Sequence, residues 1–229
     1  MTYDPIQIVG IIIALVFAIV FHEVAHGLMA RALGDPTADE LNRLSLNPLR
    51  HVDPVGTLLV PGMLALIKAP VFGWAKPVPV NPRRLRNPRH DMMLVAAAGP
   101  GMNLVMAALA ALALGVVIRS SLGVQEPDGT AGFIAFTLSV FIQFNVFLAL
   151  FNLLPIPPFD GSHIVEGLLP DGPRQSYARL RAMGMLIPII VLILLPSVLP
   201  GLSVTKYLIA PVDWVLGKYD LLTKLAAGV

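Results

Sequence analysis

The chain has 229 residues, 56% hydrophobic and 13% charged, with a mean hydropathy of +0.77. An ordinary globular chain is about 45–50% apolar, so the composition excludes a conventional soluble domain and points to an integral membrane protein. The formal charge of +2 is too small for a nucleic-acid binder, and the absence of cysteine removes thiolate catalysis, cysteine metal sites and disulfides.

In chain order, the opening "MTYDPIQIVG" lacks the basic region and cleavage site of a signal peptide. The first apolar stretch, 6–33, therefore reads as an uncleaved span. The stretch 55–67 is too short to cross and is bounded by Pro54 and Lys68, with Pro61-Gly62 inside, so it reads as re-entrant or interfacial. Further spans are expected over 91–118, 131–154, 180–199 and 202–217, the last weakened by Pro211 and Asp213. The expected fold is an all-α polytopic membrane protein of about five to six transmembrane helices. It forms one domain over 1–229, with a catalytic core at about 6–170 and C-terminal helices at about 180–217.

Basic residues give sidedness. If 55–67 does not cross, fourteen of the sixteen lysines and arginines share one face, with Lys218 and Lys224 of the tail among them. Arg119 and Lys206 take the other face. The positive-inside rule then puts the N-terminus outside and the basic loops in the cytoplasm.

Within the first span, "AIVFHEVAHGLMARALG" (18–34) places His22, Glu23 and His26 in the H-E-x-x-H pattern. At ~100° per residue, the two imidazoles lie about 40° apart and one turn on, within reach of one tetrahedral Zn²⁺. Glu23 shares that side and is placed to take a proton from the attacking water. At ~1.5 Å per residue the motif sits about 10–18 Å short of the helix's cytoplasmic end. Three ionisable groups in one turn of a membrane helix demand a compensating function, since each costs about 2.5–3.5 kcal/mol at mid-bilayer on the lenient scale.

A catalytic zinc needs a third protein ligand and an open position. Candidates are His51, Asp53, His90, Asp91, Asp160 and His163. Asp160 stands out: "FNLLPIPPFDGSHI" (151–164) leaves the third span through Pro155, Pro157 and Pro158, which cannot continue a helix, and reaches Asp160-Gly161 near the cytoplasmic side. An ordinary Asp-Gly turn is the competing reading.

Together, "HEVAH" and "NLLPIPPFDG" resemble the signature of the site-2 protease family of intramembrane zinc metalloproteases. Asn152, Pro155, Asp160 and Gly161 hold the second motif's positions. "AAAGPGMN" (96–103) is similar to the family's G-P-x-x-N element at Gly99, Pro100 and Asn103, and "FGWAKPVPVNP" (72–82) is similar to a segment of bacterial members. The resemblance spans about 15–170, without an inserted PDZ or CBS domain. It implies one Zn²⁺ held by His22, His26 and Asp160, with Glu23 as general base. Asn152 would lie near the scissile carbonyl, with Asn103 as a further substrate or transition-state contact. Apart from the resemblance, His51 in "NPLRHVDPVGTLLVPG" (47–62) precedes the re-entrant stretch and could reach the cavity, to cap the zinc without substrate or to contact substrate. The implied substrate is a single-span protein in a prokaryotic plasma membrane, such as an anti-sigma factor or a signal-peptide remnant.

The alternation of Trp74, Val78 and Val80 with Pro77 and Pro79 suggests a small strand or ribbon near the active site that receives an unwound substrate by strand addition. A Pro-rich cytoplasmic loop is the competing reading. His90 lies in a basic, headgroup-facing run, and His163 is placed to orient Asp160. Asp53 reads as a surface residue. From another functional class, a membrane metal transporter or a non-proteolytic zinc-binding membrane protein would also bury ionisable groups at depth. Glu23 separates these: a transporter would use it as a ligand.

Overall fold

A computed structural model describes residues 4–59, 62, 63, 66, 75–121, 129–184, 186–195 and 204–229. Three of its helices are long and apolar enough to cross a membrane: α1 (Pro5–Ala32), then, after the short α2 (Thr37–Glu40), α3 (Pro88–Ser120) and α4 (Thr130–Asn152). The expected spans at 6–33, 91–118 and 131–154 match these closely. The start of α1 is set by a capping box. Asp4 Oδ1 accepts from the Ile6 N–H at 3.1 Å, the Gln7 side chain accepts from the Asp4 N–H at 3.1 Å, and Pro5 stands at the first helical position.

The rest departs from the sequence reading. After α4 come α5 (Asp160–Leu168), α6 (Asp171–Leu180), the short α7 (Leu186–Ile189) and α8 (Val204–Ala227). The expected span at 180–199 is broken near its start: a 3₁₀ turn at Arg181–Met183 ends at Gly184, whose φ is +49°. Positions 196–199 lie outside the described residues. α8 continues ten residues beyond the expected end at 217. Of the stretch 55–67, residues up to Leu59 belong to a π-helical turn, Pro54–Leu59; positions 60, 61, 64, 65 and 67 lie outside the described residues.

No strand forms among the described residues. The expected strand or ribbon at 74–82 is an irregular segment over 75–81, with Trp74 outside the described residues. Its backbone donors explain why. Pro77 and Pro79 have none, the Lys76 N–H goes to His51 O (2.9 Å), and those of Val78 and Asn81 go to the side chains of Glu23 and Asp35. None is left for a ladder at these positions.

Small residues let the helices approach closely, as in membrane bundles generally. Ala107, Ala110, Ala111 and Leu114 of α3 meet Ile142 and Val146 of α4, and α8 lays Val212, Val215, Leu216, Tyr219 and Leu222 on that cluster. Gly10 of α1 lies against Phe133 and Thr137 of α4, so these two helices run parallel. His22 and His26 lie against Gly99, so α3 runs antiparallel to α1. Tyr219 donates to Leu104 O (2.8 Å) while Ala226 and Thr223 lie against Gly115. α8 therefore runs parallel to α3 and ends at the Ser120 end. This corrects the placement of Lys218 and Lys224 with the basic loops: Lys224 lies toward the opposite end of the bundle.

Candidate metal centre

One turn of α1 brings the His22 and His26 rings together, their Nε2 atoms 3.1 Å apart and their planes at 87°. Each ring is oriented by α3. His22 Nδ1 lies 3.0 Å from Asn103 Oδ1, and His26 Nδ1 lies 2.7 Å from Val95 O. Both partners are acceptors, so each ring carries its proton on Nδ1 and turns an Nε2 lone pair inward.

Asp160 arrives from the other side. α4 stops at Asn152 and the chain turns through a proline-rich loop, with the Ile156 N–H on Leu154 O (2.8 Å) and the Phe159 N–H on Ile156 O (3.0 Å). Asp160 is the first residue of α5. Its neighbour must be glycine, since a Cβ at Gly161 would stand 2.5 Å from Leu154 O. The far end of α5 is tied down by Arg89, whose Nε donates to Gly167 O (2.9 Å) and Nη2 to Leu169 O (2.5 Å). Asp160 Oδ2 thus lies 3.2 Å from His22 Nε2 and 3.3 Å from His26 Nε2.

These residues fit a zinc ion. Tetrahedral bonds of about 2.0 Å give ligand–ligand edges of about 3.3 Å, close to the observed 3.1, 3.2 and 3.3 Å. With both Nδ1 atoms carrying the protons, three lone pairs face one another, and the buried Asp160 Oδ2 has no hydrogen-bond donor. Gly99 completes the cradle: a Cβ there would sit 2.5 Å from His26 Cε1 and 2.7 Å from His22 Cε1. Among the described residues, His22, His26 and Asp160 form the one group of histidine and carboxylate side chains close enough to share a metal.

Glu23 does not join them. Its Oε2 accepts from the Val78 N–H at 2.8 Å, which places the irregular segment beside the carboxylate. That segment is held further by Arg43, which donates to Lys76 O (2.8 Å), and by buried Asp35, whose Oδ2 accepts from the Asn81 N–H (2.5 Å).

The other sequence candidates fall elsewhere. Asn103 is the acceptor that orients His22, and its Nδ2 is buried without a partner. Asn152 donates back to Leu148 O of its own helix at 3.0 Å. His51 is buried and lies 2.7 Å from Ser45 O through Nε2, outside the triad. Asp53 caps the Pro54–Leu59 turn, accepting from Val55 (3.0 Å) and Gly56 (2.6 Å), and Asp91 accepts from the Asn87 N–H (2.7 Å) at the start of α3. His90 is exposed. Burial and Arg181 hold the His163 imidazole below its usual range, so it is neutral. Sequence reasoning missed Val95 and placed Val78 near the site without its role; both contribute backbone groups that no side-chain pattern reveals.

Comparison with known proteins agrees with this chemistry. The chain is 37% identical over 186 residues to a Bacillus subtilis protein named "Putative zinc metalloprotease YwhC", covering 81% of each chain. The chain belongs to peptidase family M50. The family model, "Peptidase family M50", matches residues 122–195, a stretch that holds Asp160 but not the histidine pair. A Mycolicibacterium smegmatis protein, "Putative zinc metalloprotease Rip2", is 28% identical over 197 residues, covering 84% of this chain and 71% of the relative. No solved structure matches significantly. As an M50 member the chain is a zinc metallopeptidase of the site-2 protease type, and its three apolar helices make it an integral membrane protein.

Proposed function

We propose that this M50 peptidase cleaves the membrane-spanning segments of single-span proteins inside the bilayer, with His22, His26 and Asp160 as zinc ligands and Glu23 as general base. The observation that carries the reading is the convergence of two α1 imidazoles and the α5 carboxylate at tetrahedral edge lengths beside an apolar helix core. When bound, zinc acts as a Lewis acid on the scissile carbonyl and can lower the pKa of water to about 7.

The chain's own residues do the rest. Asn103 Oδ1 and Val95 O fix the imidazole tautomers. Glu23 takes the proton of the attacking water and returns it to the leaving amine, a contribution of about 10²–10⁴-fold. The Val78 N–H holds that carboxylate in place. Asn152 polarises the scissile carbonyl by turning its amide away from Leu148 O. A helical substrate hides its carbonyls in i→i−4 bonds, so it unwinds first. The 75–81 segment, lying against Glu23, then borders the extended chain at the base. His51 supports that segment through its carbonyl. The whole chain acts as one catalytic domain in a prokaryotic plasma membrane, its N-terminus outside and the metal nearer the cytoplasm.

The test is zinc quantification and cleavage of a model single-span substrate by the detergent-purified chain. Glu23→Gln is expected to keep one zinc per chain and lose at least ~100-fold in rate. Loss of zinc from that variant would make Glu23 a ligand and turn the reading toward a metal transporter.

A further inference from the structure

α8 carries charge where the bundle is most apolar. Between Asn103 and Arg119, α3 has no polar side chain at all. α8 lies along that stretch, from Tyr219 at Leu104 to Ala226 at Gly115. Yet its outward side shows Asp220 and Lys224, 61% and 58% exposed and paired at 2.7 Å, with Asp213 and Lys218 exposed a little earlier. Ionisable side chains at hydrocarbon depth turn to a protein or water partner rather than to lipid.

The pattern says which partner. The face turned into the protomer consists of Val212, Val215, Leu216, Tyr219, Leu222 and Thr223. In a heptad these are the b, c and f positions. The exposed face then supplies the seam. Trp214 and Leu221, 67% and 54% exposed, stand at a; Gly217 and Lys224 stand at d. Asp213 and Asp220 take g, and Lys218 takes e. Asp213 at g and Lys218 at e are five residues apart, the spacing of interhelical ion pairs between parallel helices. Gly217 faces open space, with nothing within 4 Å of a Cβ placed there, and so admits a second backbone. Asp213 and Lys218 carry opposite charges at g and e, so a parallel two-fold brings each against the other copy's partner, while Lys224 stays paired with Asp220 of its own chain at 2.7 Å.

We infer that the outward face of α8 is the docking surface for a second copy of this chain, the two α8 helices running parallel about a two-fold axis along the membrane normal. Asp213 of each copy pairs with Lys218 of the other, and Trp214 and Leu221 fill the seam.

Because the chain has no cysteine, single thiols report the contact cleanly. Leu221→Cys, in proteoliposomes at high lipid-to-protein ratio, is expected to form a disulfide dimer on mild oxidation. Leu109→Cys, on an exposed face of α3, is expected not to. Adding Asp213→Lys to Leu221→Cys should reduce cross-linking several-fold, and adding Lys218→Asp as well should restore it. The inference is overturned if Leu221→Cys stays monomeric while keeping its zinc, if Leu109→Cys cross-links as readily, or if the double exchange fails to restore the dimer. None of these results bears on the zinc ligands.

Discussion

At the scale of single residues, the centre depends on groups that shape the histidines as much as on the histidines themselves. Replacing Asn103 with leucine removes the acceptor for the His22 Nδ1–H, so the ring loses its fixed tautomer and direction. Zinc affinity should fall about 10–100-fold, the usual cost of losing such a partner, as read by chelator competition. Asp35 is a different kind of residue. Burial raises its pKa, but bonds from Thr37 Oγ1 (2.5 Å) and from the Thr37 and Asn81 N–H groups outweigh that and leave it below the ordinary carboxylate value. A carboxyl whose folded pKa is depressed adds stability above its unfolded pKa of about 3.9, and that stability is lost as pH falls through the folded value. Thermal unfolding followed from pH 7 down past pH 4 should therefore show acid destabilisation in the native chain that is shallower in Asp35→Asn.

At the scale of elements, the Val78 contact gives the 75–81 segment a functional consequence. Val78→Pro removes the one N–H bonded to Glu23 and leaves both flanking residues, Pro77 and Pro79, as they are. The expected result is full zinc content with turnover reduced about tenfold or more, measured as kcat on a model substrate. Unchanged kcat would show that Glu23 needs no such support. The three long helices were legible because an unbroken apolar run of sufficient length has few alternatives in a membrane, and Pro155 marks where α4 must stop. The Asp160 turn was legible for the same reason: prolines followed by Asp-Gly leave little choice but an irregular exit. The segment around Val78 reads equally as strand or loop from its sequence, because alternation in the side chains says nothing of where the backbone donors go. Those donors find Glu23, Asp35 and the His51 carbonyl instead.

At the scale of the whole molecule, two layers of information meet. The spacing in H-E-x-x-H predicts that two imidazoles share a face of α1. The partner from 134 residues further along arrives only because α4 runs parallel to α1 and delivers the proline turn to the same depth. Sequence alone could nominate Asp160 but not exclude Asp53, Asp91 or His51, since all lie at the edges of apolar runs; the structure gives each of those three another bond. α8 was the least legible element. Its acids and lysines look like the end of a weak span, and only its packing shows that the apolar b, c and f positions face α3 while the charges face outward. A bundle arranged this way keeps its metal chemistry on α1, α3 and α5, away from the outward face of α8.

The most direct measurement is X-ray absorption at the zinc edge of the purified chain, with metal content compared across His26→Ala and Asp160→Ala. One zinc per chain is expected, bound by two imidazole nitrogens and carboxylate or water oxygen at about 2.0–2.2 Å, with most of the metal lost from each variant. Full zinc occupancy and an unaltered spectrum in Asp160→Ala would contradict the account.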